Sequence, residues 1–261
     1  MHTDTNDDLL LTRDWPAPGD NPKSRVLLRR RERLLRKLHR YRQDLDMVLR
    51  LIGPAPRRVL DVACGTGFRV LELAHRGHTA IGVDIDPNLC RLANGAATQF
   101  GVPATLVCGD ACRVPLADAS FDVVMSNSFF EHVYDVDGAL AEQLRLLKPG
   151  GLLIIEDGNL LNPVLLFHLL VLYPLRTHGE YGGLKWMFTK RRVRPNLYGY
   201  LPLGRDEDVK TMWWWKRKLR GRTDLELVES VTTGKYQDHW IPGPFYPLRG
   251  SCLVVARRPL A

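Results

Sequence analysis

The chain has 261 residues, 45% hydrophobic and 25% charged, with 22 Gly, 17 Pro and 5 Cys. Those fractions are ordinary for a globular domain and exclude a chain that is wholly disordered, collagen-like or coiled-coil. The net charge of +8 divides into −4 over residues 1–22, +8 over 23–50, −5 over 51–158 and +9 over 159–261. An acidic centre between two basic flanks suits an anionic partner: a phosphorylated substrate, a nucleic acid or a membrane surface.

Residues 1–22 read as a polar tail punctuated by Pro16, Pro18, Gly19 and Pro22. Asp4, Asp7 and Asp8 stand where a secretory signal would be basic, and Leu9–Leu11 is too short for its apolar segment. Residues 23–56 read as a basic amphipathic helix. Leu34, Leu38, Tyr41, Leu45, Val48 and Ile52 recur at steps of three and four, while Arg29, Arg33, Arg36, Lys37 and Arg40 occupy the other face. Gly53, Pro54 and Pro56 end it.

Residues 57–158 alternate short β-branched runs with helical stretches. The expected strands are Arg58–Val62, Thr79–Asp84, Ala104–Cys108, Phe121–Ser126 and Gly151–Glu156, with helices at Phe68–Arg76, Pro87–Gln99 and Val136–Leu147. That rhythm predicts an α/β fold with a parallel sheet covered on both faces. Asp86 followed by Pro87 marks a helix start, as N-cap and first-turn proline.

Beyond it lies an insert, 159–222. A short apolar helix runs from Asn162-Pro163 to Pro174, a basic cluster follows at Lys190, Arg191, Arg192 and Arg194, and Asp206–Arg220 holds the triplet Trp213, Trp214 and Trp215. The triplet followed by Lys216, Arg217, Lys218 and Arg220 reads in three ways: an interfacial anchor, a stacking platform or the core of a lid. His168, His178 and His239 receive no role. Two closing strands, Leu225–Val231 and Cys252–Arg257, belong to the segment 223–261. No run of about 18 apolar residues could form a spanning helix. Five cysteines at irregular spacing imply no disulfide framework and fit a reducing cytoplasm. Cys108 and Cys112 lack a second Cys/His pair at zinc spacing, so no metal is expected.

The chemistry concentrates at strand ends. In Val59-Leu-Asp-Val-Ala-Cys-Gly-Thr-Gly-Phe68 a strand runs into a glycine turn, where Gly65 and Gly67 let backbone amides approach a ligand. Val70 replaces the third glycine of a dinucleotide fingerprint and no phosphate-loop lysine is present, which favours a nucleoside without pyrophosphate. Asp84 ends the second strand, where a carboxylate accepts from a ribose diol. Gly109-Asp110 follows the third, placing a carboxylate for an adenine amino group.

On these residues the sequence resembles the class I S-adenosylmethionine-dependent methyltransferases, in the group of ubiquinone/menaquinone-type and sugar O-methyltransferases. Leu60-Asp-Val-Ala-Cys-Gly-Thr-Gly67, Gly82-Val-Asp-Ile-Asp86, Gly109-Asp110, Ser120-Phe-Asp-Val-Val124, Glu131-His-Val133 and Leu147-Lys-Pro-Gly-Gly151 carry the resemblance. It implies a Rossmann-like, mostly parallel seven-stranded sheet closed by a C-terminal antiparallel strand pair, with the N-terminal helix and a long lid insert before the sixth strand. It also implies that Asp61, Gly65 and Gly67 hold the methionine part of S-adenosylmethionine, that Asp84 holds the ribose hydroxyls and that Ile85 belongs to the cofactor site. Asp110 and Ala111 would hold the adenine, and Asn127 would lie beneath the sulfonium. His132 would be the general base, with Asp157 as its acid partner.

The resulting expectation is a cytoplasmic enzyme methylating a hydroxyl of a small-molecule, sugar or lipid-linked acceptor, with peripheral attachment to an anionic membrane. The alternatives are an RNA methyltransferase using the basic flanks and a non-catalytic cofactor-binding partner subunit. Ser126-Asn127-Ser128-Phe129 lacks the prolines of enzymes that methylate exocyclic amines, which weighs against nucleic-acid bases. No oligomeric state is legible.

Overall fold

The structure is a computed structural model that describes residues 9–14, 31, 32, 35, 36, 38–172, 175, 209–233 and 251–260. Its packing divides into two units, residues 1–125 with 146–148 and residues 126–145 with 149–261. Arg29, Arg33, Leu34, Lys37, the cluster Lys190–Arg194, His178 and His239 lie outside the described residues.

In the first unit, strand β1 (Arg58–Val62) leads through the glycine turn into helix α2 (Phe68–His75), β2 (Thr79–Asp84), α3 (Pro87–Phe100), β3 (Thr105–Cys108) and β4 (Phe121–Asn127, whose last two residues fall to the second unit). Helix α1 (Leu38–Ile52) precedes them and buries Leu45, Val48 and Ile52, the expected stripe. The parallel register sets Arg58 opposite Thr79, Val62 opposite Val83, Ile81 opposite Thr105 and Asp84 opposite Cys108. The strands therefore end together. Val59, Leu60 and Val62 are all buried, because a parallel strand is covered on both faces. Asp86 caps α3, its Oδ1 accepting from the Asn88 N–H at 2.9 Å, and Gly101 ends it at φ +66°. Apolar packing already begins at residue 9: Leu10–Thr12 form a 3₁₀ turn against α2 that buries Leu9 and Leu10.

The second unit begins with a 3₁₀ turn, Phe130–His132, followed by helix α4 (Val136–Leu146, whose last residue falls to the first unit) and β5 (Leu147–Gly158). Helix α5 (Pro163–Phe167) widens into a π-type turn over His168–Leu172; α6 (Met212–Arg220), β6 (Glu226–Thr233) and β7 (Ser251–Arg257) complete it. Strand β7 pairs antiparallel with β5, Leu152 opposite Arg257 to Gly158 opposite Ser251, and antiparallel with β6 on its other side. Leu253, Val254, Val255 and Ala256 are buried accordingly.

The hydrogen-bonded order is β3-β2-β1-β4-β5-β7-β6, seven strands, mostly parallel with the C-terminal pair antiparallel. The order reverses at β1, and open α/β sheets bind ligands outside the strand ends at such a reversal.

Candidate active site

In the first unit, Asp61 is buried near the end of β1. Ala63, Gly65 and Gly67 then take left-handed backbone angles of φ +57°, +58° and +70°, which turn the chain sharply into α2. The Asp84 carboxylate closes this turn. Its Oδ2 accepts from the Gly65 N–H at 2.7 Å, its Oδ1 from the Asp86 N–H at 3.0 Å, and the Cys64 N–H donates to the Val83 carbonyl at 3.0 Å. A carboxylate offers about four lone-pair positions, so two backbone donors leave room for a diol.

The next strand end is built similarly. The Gly109 N–H donates to the Asp84 carbonyl at 2.9 Å, and Asp110 accepts the Cys112 N–H at 2.8 Å on Oδ1. Between these acids Ile85 stays 42% exposed although it is aliphatic, a surface suited to a flat ring, while Ala111 is buried. Burial pushes the Cys64 thiol well above its usual range, and the Asp61 and Asp84 carboxylates push it further. The turn is thus a field of two carboxylates around a neutral thiol. It fits a ligand combining positive charge, a ribose diol and an aromatic base.

The second unit carries the turn after β4. Asn127 Nδ2 donates to Glu156 Oε2, and the Ser128 N–H donates to the Glu156 carbonyl at 2.7 Å, with Ser128 at φ +51°. The Phe129 N–H donates to Asp157 Oδ1 at 3.1 Å. Two buried acids at the end of β5 thereby clamp the turn that presents His132. His132 Nε2 lies 3.7 Å from Glu131 Oε1, and its buried Nδ1 has no hydrogen-bond partner among the described residues. The carboxylate facing this imidazole is Glu131, while Asp157 holds a backbone amide. Reading the sequence had assigned neither Glu131 nor Glu156 a role. An acid directly before a histidine, and an acid ending the apolar run Leu152–Ile155, were the available signals.

Aromatic packing supports the same turn. Phe130 meets Phe129 at 5.0 Å and Trp215 at 5.1 Å between centroids, and Trp215 meets Trp214 at 5.1 Å, all edge-on. Of the three readings of the triplet, core packing holds for Trp215, which is fully buried; Trp213 is exposed.

A family model described as "Methyltransferase domain" matches residues 60–155. The chain is 36% identical over 149 residues to a demethylmenaquinone methyltransferase of Thermobifida fusca, covering 55% of this chain and 58% of that protein. It is 30% identical over 184 residues to the ubiquinone/menaquinone biosynthesis C-methyltransferase UbiE of Geotalea daltonii, covering 68% of this chain and 78% of that protein. The chain spans about half the length of the curated demethylmenaquinone methyltransferases it matches. Among solved structures, a SAM-dependent methyltransferase of Methanosarcina mazei shares the fold, with a TM-score of 0.59 and 20% identity over 82% of this chain and 98% of that one. With the glycine turn, the strand-end acids and the antiparallel closing pair in place, the chain belongs to the S-adenosylmethionine-dependent methyltransferases.

Proposed function

We propose that this protein methylates a small acceptor after removing a proton from the acceptor's hydroxyl. S-adenosylmethionine, when bound, supplies a methyl group already activated on a sulfonium. The protein's part is to hold, orient and deprotonate. Asp61 and the Gly65–Gly67 turn take the charged methionine end, Asp84 accepts from the ribose diol, Ile85 and Ala111 flank the adenine, and Asp110 accepts from its amino group. Asn127, held by Glu156, is assigned to the sulfonium.

The observation that carries the reading is the His132 imidazole. A buried ring nitrogen without a partner forfeits a hydrogen bond, a loss that an acceptor hydroxyl repairs. The Nε2 side of the ring faces the Glu131 carboxylate at 3.7 Å, which leaves Nδ1 as the atom that takes the hydroxyl proton. Asp157 acts on His132 through the backbone, by fixing the Phe129 N–H at the head of its turn.

Reading the sequence favoured methylation of the hydroxyl oxygen of a small molecule, sugar or lipid-linked intermediate. The names of the relatives concern quinone acceptors and, for one, methylation at carbon. One deprotonation serves both outcomes, because a phenolate is nucleophilic at oxygen and at the neighbouring ring carbon, whereas a sugar hydroxyl reacts at oxygen. The test supplies the protein with carbon-13-methyl S-adenosylmethionine and, separately, a demethylated naphthohydroquinone, a catechol and a sugar, and locates the new methyl by NMR. His132→Ala should lower turnover by about 10²–10⁴ with S-adenosylhomocysteine affinity unchanged. Unchanged turnover in that variant, or methyl incorporation only into RNA, refutes the reading.

A further inference from the structure

Helix α6 divides its residues sharply. Met212, Trp215 and Leu219, at steps of three and four, are buried. Trp213, Lys216, Arg217 and Arg220, the last three lying three, four and seven positions after the first, share another flank of the helix, and no acid occurs in it. Lys218, off that side, is held by Asp137 at 2.5 Å, and Arg222 beyond the helix by Asp224 at 2.6 Å. Among the described residues, Lys216, Arg217 and Arg220 have no ion-pair partner. The cations sharing a side with Trp213 are thus the ones left unneutralised.

A second stripe lies along α5 and the π-type turn that follows it. Val164, Phe167 and Val171 recur at steps of three and four along α5 and that turn, and together with Leu175 and Trp213 they are between 38% and 70% exposed. The Leu160 N–H donates to the Lys210 carbonyl at 3.1 Å, so the segments leading into α5 and α6 are tied together at their base. Clustered exposed apolar side chains mark a binding surface.

We propose that these two stripes form a face that docks on an anionic lipid bilayer. Charge complementarity selects this occupant. Three unneutralised cations in a helix without an acid call for an anionic partner, and a nucleic acid is read through its phosphates and base edges rather than through an aliphatic stripe of Val164, Val171 and Leu175. Aliphatic side chains, an exposed Trp and unneutralised cations together match the headgroup boundary, where the apolar groups enter the acyl region and the cations stay at the phosphates. Among the described residues no helix is long and apolar enough to cross a membrane. The net charge of +9 over residues 159–261 adds attraction at longer range. The docking is independent of which acceptor atom is methylated.

The test is co-sedimentation of the full chain with vesicles of phosphatidylglycerol and phosphatidylcholine, or of phosphatidylcholine alone, at low and high salt. Binding should require the anionic lipid and weaken with salt. Each cation near such a surface is worth roughly fivefold in partition, so the triple variant Lys216→Gln, Arg217→Gln, Arg220→Gln should bind on the order of 100-fold more weakly. Phe167→Ser with Leu175→Ser should weaken binding at least about tenfold at low salt. Unaltered near-UV circular dichroism establishes that each variant is folded. Absence of binding at low salt, equal binding to neutral vesicles, or full binding by both variants overturns the proposal. So does a loss confined to self-association or to RNA affinity, which would assign the face to a second copy or to nucleic acid.

Discussion

Replacing Gly67 by alanine tests how tightly the cofactor turn is built, with Gly77→Ala as its control. Both glycines take left-handed angles, φ +70° and +86°. An alanine Cβ at 67 would sit 2.7 Å from Leu106 Cδ2 and 2.9 Å from Ala93 Cβ, whereas one at 77 would meet nothing within 4 Å. Leu106 and Ala93 are both buried, and the Ala93 Cβ is fixed to the backbone of α3, so neither contact is relieved by a side-chain rotation alone. The left-handed angle costs an L-residue about 1–2 kcal/mol at either position. Overpacking adds about 1–3 kcal/mol at 67 only. The entropy lost by the unfolded chain is the same for both and cancels in the difference. Against the unaltered protein that entropy gain offsets about 0.4–1 kcal/mol, so Gly67→Ala should be about 1–4.5 kcal/mol less stable than it, and about 1–3 kcal/mol less stable than Gly77→Ala, in urea unfolding with an unchanged slope. Its affinity for S-adenosylhomocysteine should fall as the turn shifts, while Gly77→Ala keeps full affinity. Equal losses of stability in the two variants would refute the close-packing argument.

Asp84→Asn replaces one acceptor oxygen by a donor that faces the Gly65 or Asp86 N–H and removes the charge offered to the ribose. Hydrogen bonds to charged groups are worth about 1.5–3 kcal/mol, so calorimetry should find S-adenosylhomocysteine bound roughly 10–100-fold more weakly; unchanged affinity would take Asp84 out of the site. Asp122 accepts from Lys148 Nζ and from the Arg58 N–H, each at 2.8 Å. Burial alone would raise its carboxyl, but these two bonds together with the charges of Lys148 and Arg57 hold it below the ordinary value. A depressed folded value means stability that is complete above about pH 4 and is lost as pH falls through the folded value. Asp122→Asn should thus be less stable near neutrality and show a shallower acid limb below about pH 4 in urea unfolding. An acid limb as steep as that of the unaltered chain would show that the pair is not linked to folding.

The strands β1, β2 and β3 and the start of α3 were legible because their signals are local. A strand covered on both faces needs an unbroken apolar run, and Asp86-Pro87 caps a helix whatever surrounds it. The acids at the strand ends followed from the same reasoning, since a break in the apolar run is where a parallel strand must stop. The strand expected over Gly151–Glu156 runs in fact from Leu147 to Gly158; Lys148 bonds Asp122, and the Gly150 N–H finds the Arg258 carbonyl at 2.9 Å, more than 100 positions away. Three consecutive tryptophans are identical in composition. Only the phase of α6 against its neighbours buries Trp215 beside Phe130 and leaves Trp213 in solvent. The neighbour acid Glu131 was visible beside His132 in the sequence, but that Asp157 accepts the Phe129 N–H was not, because the two residues are 28 positions apart. Periodicity, caps and turn residues act over a few positions and are written in the sequence. The partner of a buried polar group is selected only when segments distant along the chain are brought within hydrogen-bonding distance.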